Sequence, residues 1–277
     1  MGDFKSKINW ICFIAIILMV FPAYAQEDDN LRQEARNPLA DMVALPIQYE
    51  TYLGIGPDDE AAHIMTVQPV YPIKLNEDWN FVTRTLVPLV YIPESVAGLN
   101  ILPQGLGGDT KFGLGDINFS AYLSPSEVKG LIWGVGPSIN IPTATDELLG
   151  SKKWSAGPTA VVLKQTERWN LGLLYRHLWS FAGEKDRADV NQSLLQPWVS
   201  YNLNEEWYVI SESIITANWE QDDNSQRFVV PVGGGIGRFF YMGKQAVDIS
   251  LSYYHNIEKP DAGPEDIIRF SINFIWP

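Results

Sequence analysis

The sequence has a single cysteine, Cys12, and it lies within the first 25 residues. If that segment is removed, the remaining chain can form no disulfide and carries no thiolate. No later stretch reaches the roughly eighteen consecutive apolar residues of a membrane-spanning helix. Basic residues are also few: the chain has 20 Lys and Arg but 33 Asp and Glu, which gives a net charge of −13. Such an acidic chain should repel nucleic acid, so no nucleic-acid partner is predicted.

The N-terminus has the features of a secretory signal peptide, predicted at residues 1–25. Lys5 and Lys7 precede an apolar stretch at 8–21, and a small-x-small cleavage site ends at Ala25. Cleavage there would leave a polar, acidic arm at 26–42, which we expect in the periplasm. Export through a signal peptide is compatible with a protein of a Gram-negative outer membrane.

From about residue 43 apolar and polar residues alternate with a period of two, which is typical of strands with one wet face. Twelve such runs follow, starting near residues 43, 65, 79, 116, 133, 154, 169, 191, 207, 227, 246 and 266. An even number returns both ends of the chain to the periplasm. The pattern predicts an all-β fold at 43–277: a single up-and-down antiparallel transmembrane β-barrel of about 12 strands. Prolines lie inside the runs, and each is expected to mark a bulge or strand end because it removes a ladder donor. They are Pro69, Pro88, Pro137, Pro158, Pro197 and Pro231.

The connections between the runs alternate in length. Those at 76–78, 125–130, 165–168, 204–206 and 242–245 are short. Those at 55–61, 93–114, 143–153, 183–190, 220–226 and 258–265 are longer and rich in Gly, Pro, Asp and Glu. Short periplasmic turns and longer extracellular loops are the outer-membrane pattern, whereas a soluble β-sandwich has no reason to alternate in this way.

Aromatic residues recur at two levels of the predicted strands. Such levels are the aromatic girdles that fix a barrel in depth at the two headgroup layers. The predicted girdle contains Trp79, Trp133, Trp169, Trp207 and Trp276 beside the short turns, and Tyr91, Trp154, Trp179 and Trp219 towards the long loops.

Residues 68–79 and 196–207 are similar to one another. Six of the twelve positions match at an offset of 128 residues, including Gln68 with Gln196 and Trp79 with Trp207. One interpretation is a duplicated set of hairpins. The other, equally supported, is that similar hairpins need similar turn residues.

Charged and amide side chains on the polar faces are predicted to line the lumen. They are Glu50, Gln68, Arg84, Asp116, Arg176, Gln196, Glu212, Asp248 and Arg269. They could border an aqueous path or pair with one another in a closed lumen. The acidic balance disfavours anions, but arginines expected on the inner face, Arg84, Arg176, Arg238 and Arg269, oppose this locally. On balance the sequence favours neutral or weakly cationic solutes.

Catalytic and metal sites are not expected. None of the histidines, His63, His177 and His255, has a serine two residues later, and His177 falls on the predicted lipid-side face near Ser180. The loop acids Asp58, Asp59, Glu60, Asp222 and Asp223 could hold divalent ions that bridge lipopolysaccharide, but such runs are more often solvated. No His or Cys spacing suits a metal, and no cofactor is predicted.

Several strings together resemble one family of bacterial proteins. They are ARNPLAD at 35–41, GLGDI at 113–117, WGVGP at 133–137, PTATD at 142–146, KWSAGP at 153–158, HLWSFAG at 177–183, QP at 196–197, PVGGGIG at 231–237 and FIWP at 274–277. The family is that of the MetA pathway of phenol degradation, some of whose members are labelled transporters or, misleadingly, neuromedin U. The resemblance implies an outer-membrane barrel that passes aromatic or other small hydrophobic compounds, and it carries over no catalytic residue.

The sequence therefore predicts a passive outer-membrane channel for a small solute. Its expected partners are outer-membrane lipid, lipopolysaccharide, the barrel assembly machinery and the solute itself. Two alternatives stay open. One is a non-conducting structural or surface-interaction barrel, closed by side chains or by residues 26–42. The other, less favoured, is an outer-membrane enzyme.

Overall fold

The computed structural model describes residues 29–56, 58–93, 110–126 and 130–276. The predicted signal peptide with Cys12, the first residues of the arm and most of the 93–114 loop lie outside these residues. Among the described residues, no helix is both long enough and apolar enough to cross a membrane.

The described chain is almost entirely β-strand. One short helix, α1, at Asp29–Glu34 and one 3-10 helix at Asn224–Gln226 are the helical segments within the described ranges. The strands are β1 Val43–Ile55, β2 Glu60–Val67, β3 Val70–Lys74, β4 Trp79–Ile92, β5 Lys111–Leu114, β6 Ile117–Pro125, β7 Leu131–Ile141, β8 Lys153–Gln165, β9 Trp169–Gly183, β10 Asn191–Asn202, β11 Trp207–Glu212, β12 Ile215–Asn218, β13 Phe228–Met242, β14 Gln245–Glu258 and β15 Asp266–Trp276.

These segments form a closed barrel of twelve antiparallel strands. Three barrel strands are each interrupted once, so β2 with β3, β5 with β6, and β11 with β12 act as single strands. Neighbours in sequence are neighbours in the sheet, and the last strand pairs with the first from Val43–Trp276 to Leu53–Asp266. The predicted up-and-down barrel of about twelve strands is confirmed. Closure leaves no free sheet edge, as a bilayer requires.

Side chains alternate between the two faces of each strand, and closure makes one face the outside of the barrel and the other its lumen. On β9, Leu171, Leu173 and Tyr175 are exposed on the outer face, whereas Leu174 is buried inside. Outward apolar side chains would meet lipid, and the inward set fills the lumen.

Turn length differs between the two ends of the barrel. One end carries the short connections, where Asn76 and Asn204 each accept two backbone N–H bonds that close the turns before Trp79 and Trp207. The other end carries longer loops, including 142–152, 184–190 and 259–265. The shared Asn turn explains part of the sequence repeat, because both hairpins need an Asx turn.

Prolines coincide with irregularities of the strand pairing. Pro69 separates β2 from β3, and the register of β13 with β14 shifts between Val230 and Pro231. Pro137 and Pro158 face one another within a regular β7–β8 ladder. On their other sides, however, the β6–β7 and β8–β9 pairings skip these two prolines, as the loss of an N–H donor predicts.

Candidate functional site

The N-terminal arm enters the turn end of the barrel and is held there by Arg36. Its guanidinium donates to Ser200 Oγ at 2.9 Å and to Asn202 Oδ1 at 2.6 Å. Its carbon Cζ also lies 4.2 Å from the ring centroid of Tyr208. These partners belong to β10 and β11, so Arg36 fixes the arm to one side of the lumen.

The backbone of the arm is bound from two further sides. Asn170 Nδ2 donates to the Arg36 carbonyl, and Asn273 Nδ2 donates to the Ala35 carbonyl, both at 3.2 Å. Asn170 belongs to β9 and Asn273 to β15. Contacts to separate parts of the wall make the arm a plug at this end rather than a tail along one strand.

Apolar side chains of the arm complete the plug. Leu39 packs in a buried cluster with Val82, Tyr122 and Trp198 of the lumen wall. A second cluster joins Leu31, Ala40 and Met42 of the arm to Phe239, Ala246 and Ile275. Burial of apolar surface stabilises such a contact by about 25 cal/mol per Å².

Two cavities occupy the lumen above the plug. The larger, of about 610 Å³, extends from mid-depth to the loop end. The smaller, of about 200 Å³, lies against arm residues 34–42. Both are bordered by the same set at mid-depth, which is Gln48, Gln68, Arg84, Leu174 and Gln196. This mid-lumen layer lies between the larger cavity on the loop side and the smaller cavity at the plugged end.

The residues predicted to line the lumen are distributed over both cavities. Glu50, Gln68, Arg84, Asp116, Arg176 and Gln196 border the larger one. Glu212 and Asp248 border the smaller one, together with Gln68, Arg84 and Gln196. Arg269 borders neither, and it is buried beside Glu50.

Arg269 is the centre of an internal ion pair. Its Nε donates to Glu50 Oε1 at 2.8 Å, and its Nη1 donates to the Glu212 carbonyl at 2.7 Å. Tyr52 donates from its hydroxyl to the other Glu50 oxygen at 2.8 Å. In this network Arg269 neutralises the charge of Glu50. The two residues therefore form an ion pair within the wall and do not act as separate charges along the pore.

The sequence repeat reappears as a pair of matched contacts at mid-depth. Arg84 donates to the side-chain oxygen of Gln68, and Gln196 Nε2 donates to Glu212 Oε1 at 2.6 Å. Each pair joins residues sixteen apart. One half of the barrel therefore has a cation where the other half has an anion.

Asp116 has a structural role at the loop end. One carboxylate oxygen accepts from Ser151 N at 2.7 Å and from Ser151 Oγ at 2.6 Å, while the other accepts from Ala144 N at 3.3 Å. The carboxylate thus ties the 142–152 loop to the barrel. Asp248, in contrast, accepts from the Tyr208 hydroxyl beside the arm.

Arg238 was expected on the inner face, and this prediction is wrong. It lies on the face of β13 that carries the exposed Ile236. Its guanidinium pairs with Glu206 at 2.8 Å and lies over the rings of Trp207 and Phe240. The Arg238 side chain is almost fully buried between Glu206 and these rings, and the Gly-rich run at 233–237 offers no apolar–polar alternation that would have assigned its face.

The predicted girdle residues occur at two levels of the outer surface. Near the turns, Trp79 contacts Trp133 edge-on with their ring centroids 6.1 Å apart. The ring centroids of Trp169 and Tyr201 are 4.7 Å apart, and Trp276 is exposed. Near the loops, Trp154 and Trp179 are exposed, and Trp219 contacts Phe228 at 6.0 Å. On β9, which carries one residue of each level, Trp169 and Trp179 are ten residues apart.

His177 lies on the outer face of β9, as the sequence predicted, but its partners on β10 were missed. His177 contacts Ser193 Oγ at 2.7 Å through Nδ1 and Asn191 Oδ1 at 3.0 Å through Nε2, and the Trp179 ring covers it. The order Ser–His–Asn is that of a hydrolytic triad. However, β9 and β10 are paired along this stretch. Their backbone N–H groups therefore point into ladders and do not converge on Ser193 as an oxyanion hole would require.

Among the described residues, no group of three His, Cys, Asp or Glu side chains is placed to hold a metal. Several loop carboxyls instead bind neighbouring groups. The Lys153 ammonium, 3.0 Å from Asp189, lowers the pKa of that carboxyl. The backbone N–H of Leu148 lowers the pKa of Asp146 in the same way. Asp223 caps the 3-10 helix, and the Ser225 N–H lowers its pKa.

Comparison with known proteins supports the fold and leaves the family open. No protein-family model matches the chain, and no curated protein matches it. The resemblance to the MetA family therefore stays a prediction. Among solved structures, the COG4313 outer membrane channel from Pseudomonas putida F1 is similar, with a TM-score of 0.59 and 14% identity over 86% of this chain and 96% of that one.

Two further structures are more distant. The NanC porin has a TM-score of 0.49 at 10% identity, covering 85% of this chain and 99% of that one. The Pseudomonas putida toluene transporter TodX has a TM-score of 0.46 at 10% identity, covering 92% and 94%. Likenesses at this level establish nothing about the function of this chain.

Proposed function

We propose that this protein is an outer-membrane channel through which a small solute diffuses. The observation that carries the proposal is a cavity of about 610 Å³, bordered by polar side chains, inside a closed barrel with an apolar outer face. Lipid would contact the outer face, and water or solute would occupy the inside. The likeness to a solved outer membrane channel fits this proposal. We place the protein in the outer membrane of a Gram-negative bacterium, bordered by lipid and lipopolysaccharide and inserted by the barrel assembly machinery.

The lining of the cavity suits a small, partly apolar solute. Ile64, Leu86, Val90, Leu174 and Leu178 alternate with the polar residues of the same wall. A cavity of this size and mixture is of the kind that holds small organic molecules, typically about 300–1,000 Å³. This agrees with the aromatic or hydrophobic solutes that the sequence resemblance implies.

Transport in this proposal requires the arm to move. The plug is held by hydrogen bonds from Arg36, Asn170 and Asn273 and by two apolar clusters. The same plug favours the second candidate, a non-conducting barrel with a structural or surface-interaction role. The two candidates differ in whether the arm leaves the lumen under native conditions.

Planar-bilayer conductance of the refolded chain, residues 26–277, distinguishes the candidates. The comparison is with a variant lacking residues 26–40 and with a variant in which a Gly/Ser segment of equal length replaces them. A channel should show discrete steps in the full chain and larger steps in both variants, because the smaller cavity then opens to the turn side. Heat-modifiable gel mobility verifies folding of each protein.

If the full chain is silent and both variants conduct, the barrel is closed in its resting state and the second candidate holds. If all three folded proteins are silent, the side chains of the mid-lumen layer close the lumen, and the channel proposal is rejected.

A further inference from the structure

Two arginines border the larger cavity of the lumen. Arg84 extends from β4 and Arg176 from β9. Arg176 Nη1 donates to Asn118 Oδ1 on β6, and the Ser120 hydroxyl donates to the same oxygen. Ser120 is the ladder partner of Arg84, so the two arginines adjoin the same part of the wall. Two like charges brought together in a narrow lumen are unfavourable unless something offsets them.

Neutral groups are the partners of both guanidiniums. Arg84 donates to the Gln68 side-chain oxygen, and Arg176 Nη1 donates to Asn118 Oδ1 at 2.8 Å. Within the described ranges, neither arginine forms an ion pair with a carboxylate. Each guanidinium has five N–H donors, so most of them remain available to the cavity.

The acids that border the same cavities have other partners. Glu50 forms an ion pair with Arg269, the Glu212 carboxylate accepts from Gln196, and Asp116 accepts from Ser151. Arg84 and Arg176 therefore keep their charges without a carboxylate partner among the described residues, in a chain whose overall charge is −13.

Apolar side chains adjoin the two cations on the same cavity wall. Leu174 lies two residues from Arg176 on the same inward face, and Leu86 lies two residues from Arg84 in the same way. A molecule held between the arginines would thus have its remaining atoms against leucine. Guanidinium groups bind carboxylates in a planar, two-bond arrangement.

We propose that Arg84 and Arg176 form a binding site for a small organic carboxylate, with its charged group between the two guanidiniums and its apolar part against Leu86 and Leu174. This rests on the proposed channel function, and it replaces the neutral or weakly cationic solute that the overall acidity suggested. The pairing of each charge inside the barrel, rather than the total charge, sets the local field.

Benzoate is a suitable probe, with benzyl alcohol as a neutral analogue of similar shape and inorganic phosphate as an anion without an apolar part. Equilibrium dialysis on the refolded, detergent-solubilised chain, residues 26–277, measures binding without any requirement for conduction. We expect benzoate to bind at least about tenfold more tightly than either comparison compound, because only benzoate satisfies both halves of the site.

Arg84→Gln and Arg176→Gln should each weaken benzoate binding about tenfold or more, since each removes one charged partner. Arg84→Lys should weaken it less, because the charge remains. Arg168→Gln is the matched control, since Arg168 lies in a turn and donates to Tyr201 at 3.2 Å, away from the lumen.

In the bilayer, benzoate should reduce the chloride current of the full chain and not that of the double Gln variant. Benzoate binding in a silent barrel would support the site while rejecting the channel. Conduction without benzoate binding would reject the site while leaving the channel. Equal affinity for benzoate and benzyl alcohol, or for benzoate and phosphate, would overturn the proposal, because one half of the site would then contribute nothing.

Discussion

Replacing Arg36 by alanine should release the N-terminal arm from the turn end of the barrel. Arg36 makes two hydrogen bonds from a charged donor, to Ser200 and Asn202. Such bonds contribute about 1.5–3 kcal/mol each, and we take the lower value because Arg36 is partly exposed to the lumen. The loss of about 3 kcal/mol should raise the ratio of detached to attached arm roughly 100-fold, since about 1.4 kcal/mol is tenfold.

A cysteine at position 40 can report this change. Ala40 is 7% exposed and packs in the cluster with Met42 and Phe239, so a maleimide should reach it only when the arm detaches. The chain without its first 25 residues has no other cysteine, and Ala→Cys is a small change. When detachment and return are fast relative to labelling, the labelling rate follows the detached population.

The comparison is between Ala40→Cys alone and Ala40→Cys with Arg36→Ala. The matched control adds Arg168→Ala instead, which removes an arginine at the same end without touching the arm. We expect about 100-fold faster labelling with Arg36→Ala and no change with Arg168→Ala. Equal rates in all three proteins would mean that the apolar clusters alone hold the arm, and the reasoning from hydrogen bonds would be refuted.

Three further predictions concern the wall and the loops. Arg269→Met should destabilise the barrel by about 3–5 kcal/mol, because it leaves Glu50 charged and buried; urea unfolding measures this, and adding Glu50→Gln should recover part of the loss. The pKa of Asp189 is lowered by Lys153, so their ion pair contributes above the ordinary carboxyl pKa of about 4 and is lost as pH falls through the lowered pKa. A nitroxide label in loop 184–190 should become more mobile only in that acidic range, whereas with Lys153→Met its mobility should no longer depend on this pair. Finally, His177→Ala should leave conductance unchanged, and the native chain should not react with a fluorophosphonate; labelling that His177→Ala abolishes would instead establish an enzyme.

The barrel could be predicted because its information is local in sequence. Alternation along 169–182 assigns the outer face to Tyr175 and the inner face to Arg176 without knowledge of any partner strand. Turn residues such as Asn204 likewise fix their hairpins through bonds to the next few residues. A closed barrel then follows from twelve such strands, because a bilayer tolerates no open edge.

The site could be predicted only as a list of inward residues. The alternation pattern cannot show that Glu50 forms an ion pair with Arg269, 219 residues away. Nor can it show that Arg84 instead donates to the side-chain amide of Gln68. Nor does it place Arg36, which lies outside every strand, inside the lumen. The failure at Arg238 has a different origin, since the glycines at 233–235 and 237 leave no side-chain alternation from which its face could be assigned.

The sequence by itself thus determined the strand period, the positions of the turns and, outside the Gly-rich run at 233–237, which side chains face inward, because each depends on residues close along the chain. Only the tertiary structure decided which lumenal charges neutralise one another, where the arm lies, and that Arg84 and Arg176 share a cavity. These depend on distances across the barrel, and Coulomb interactions between groups far apart in sequence are set by closure rather than by spacing.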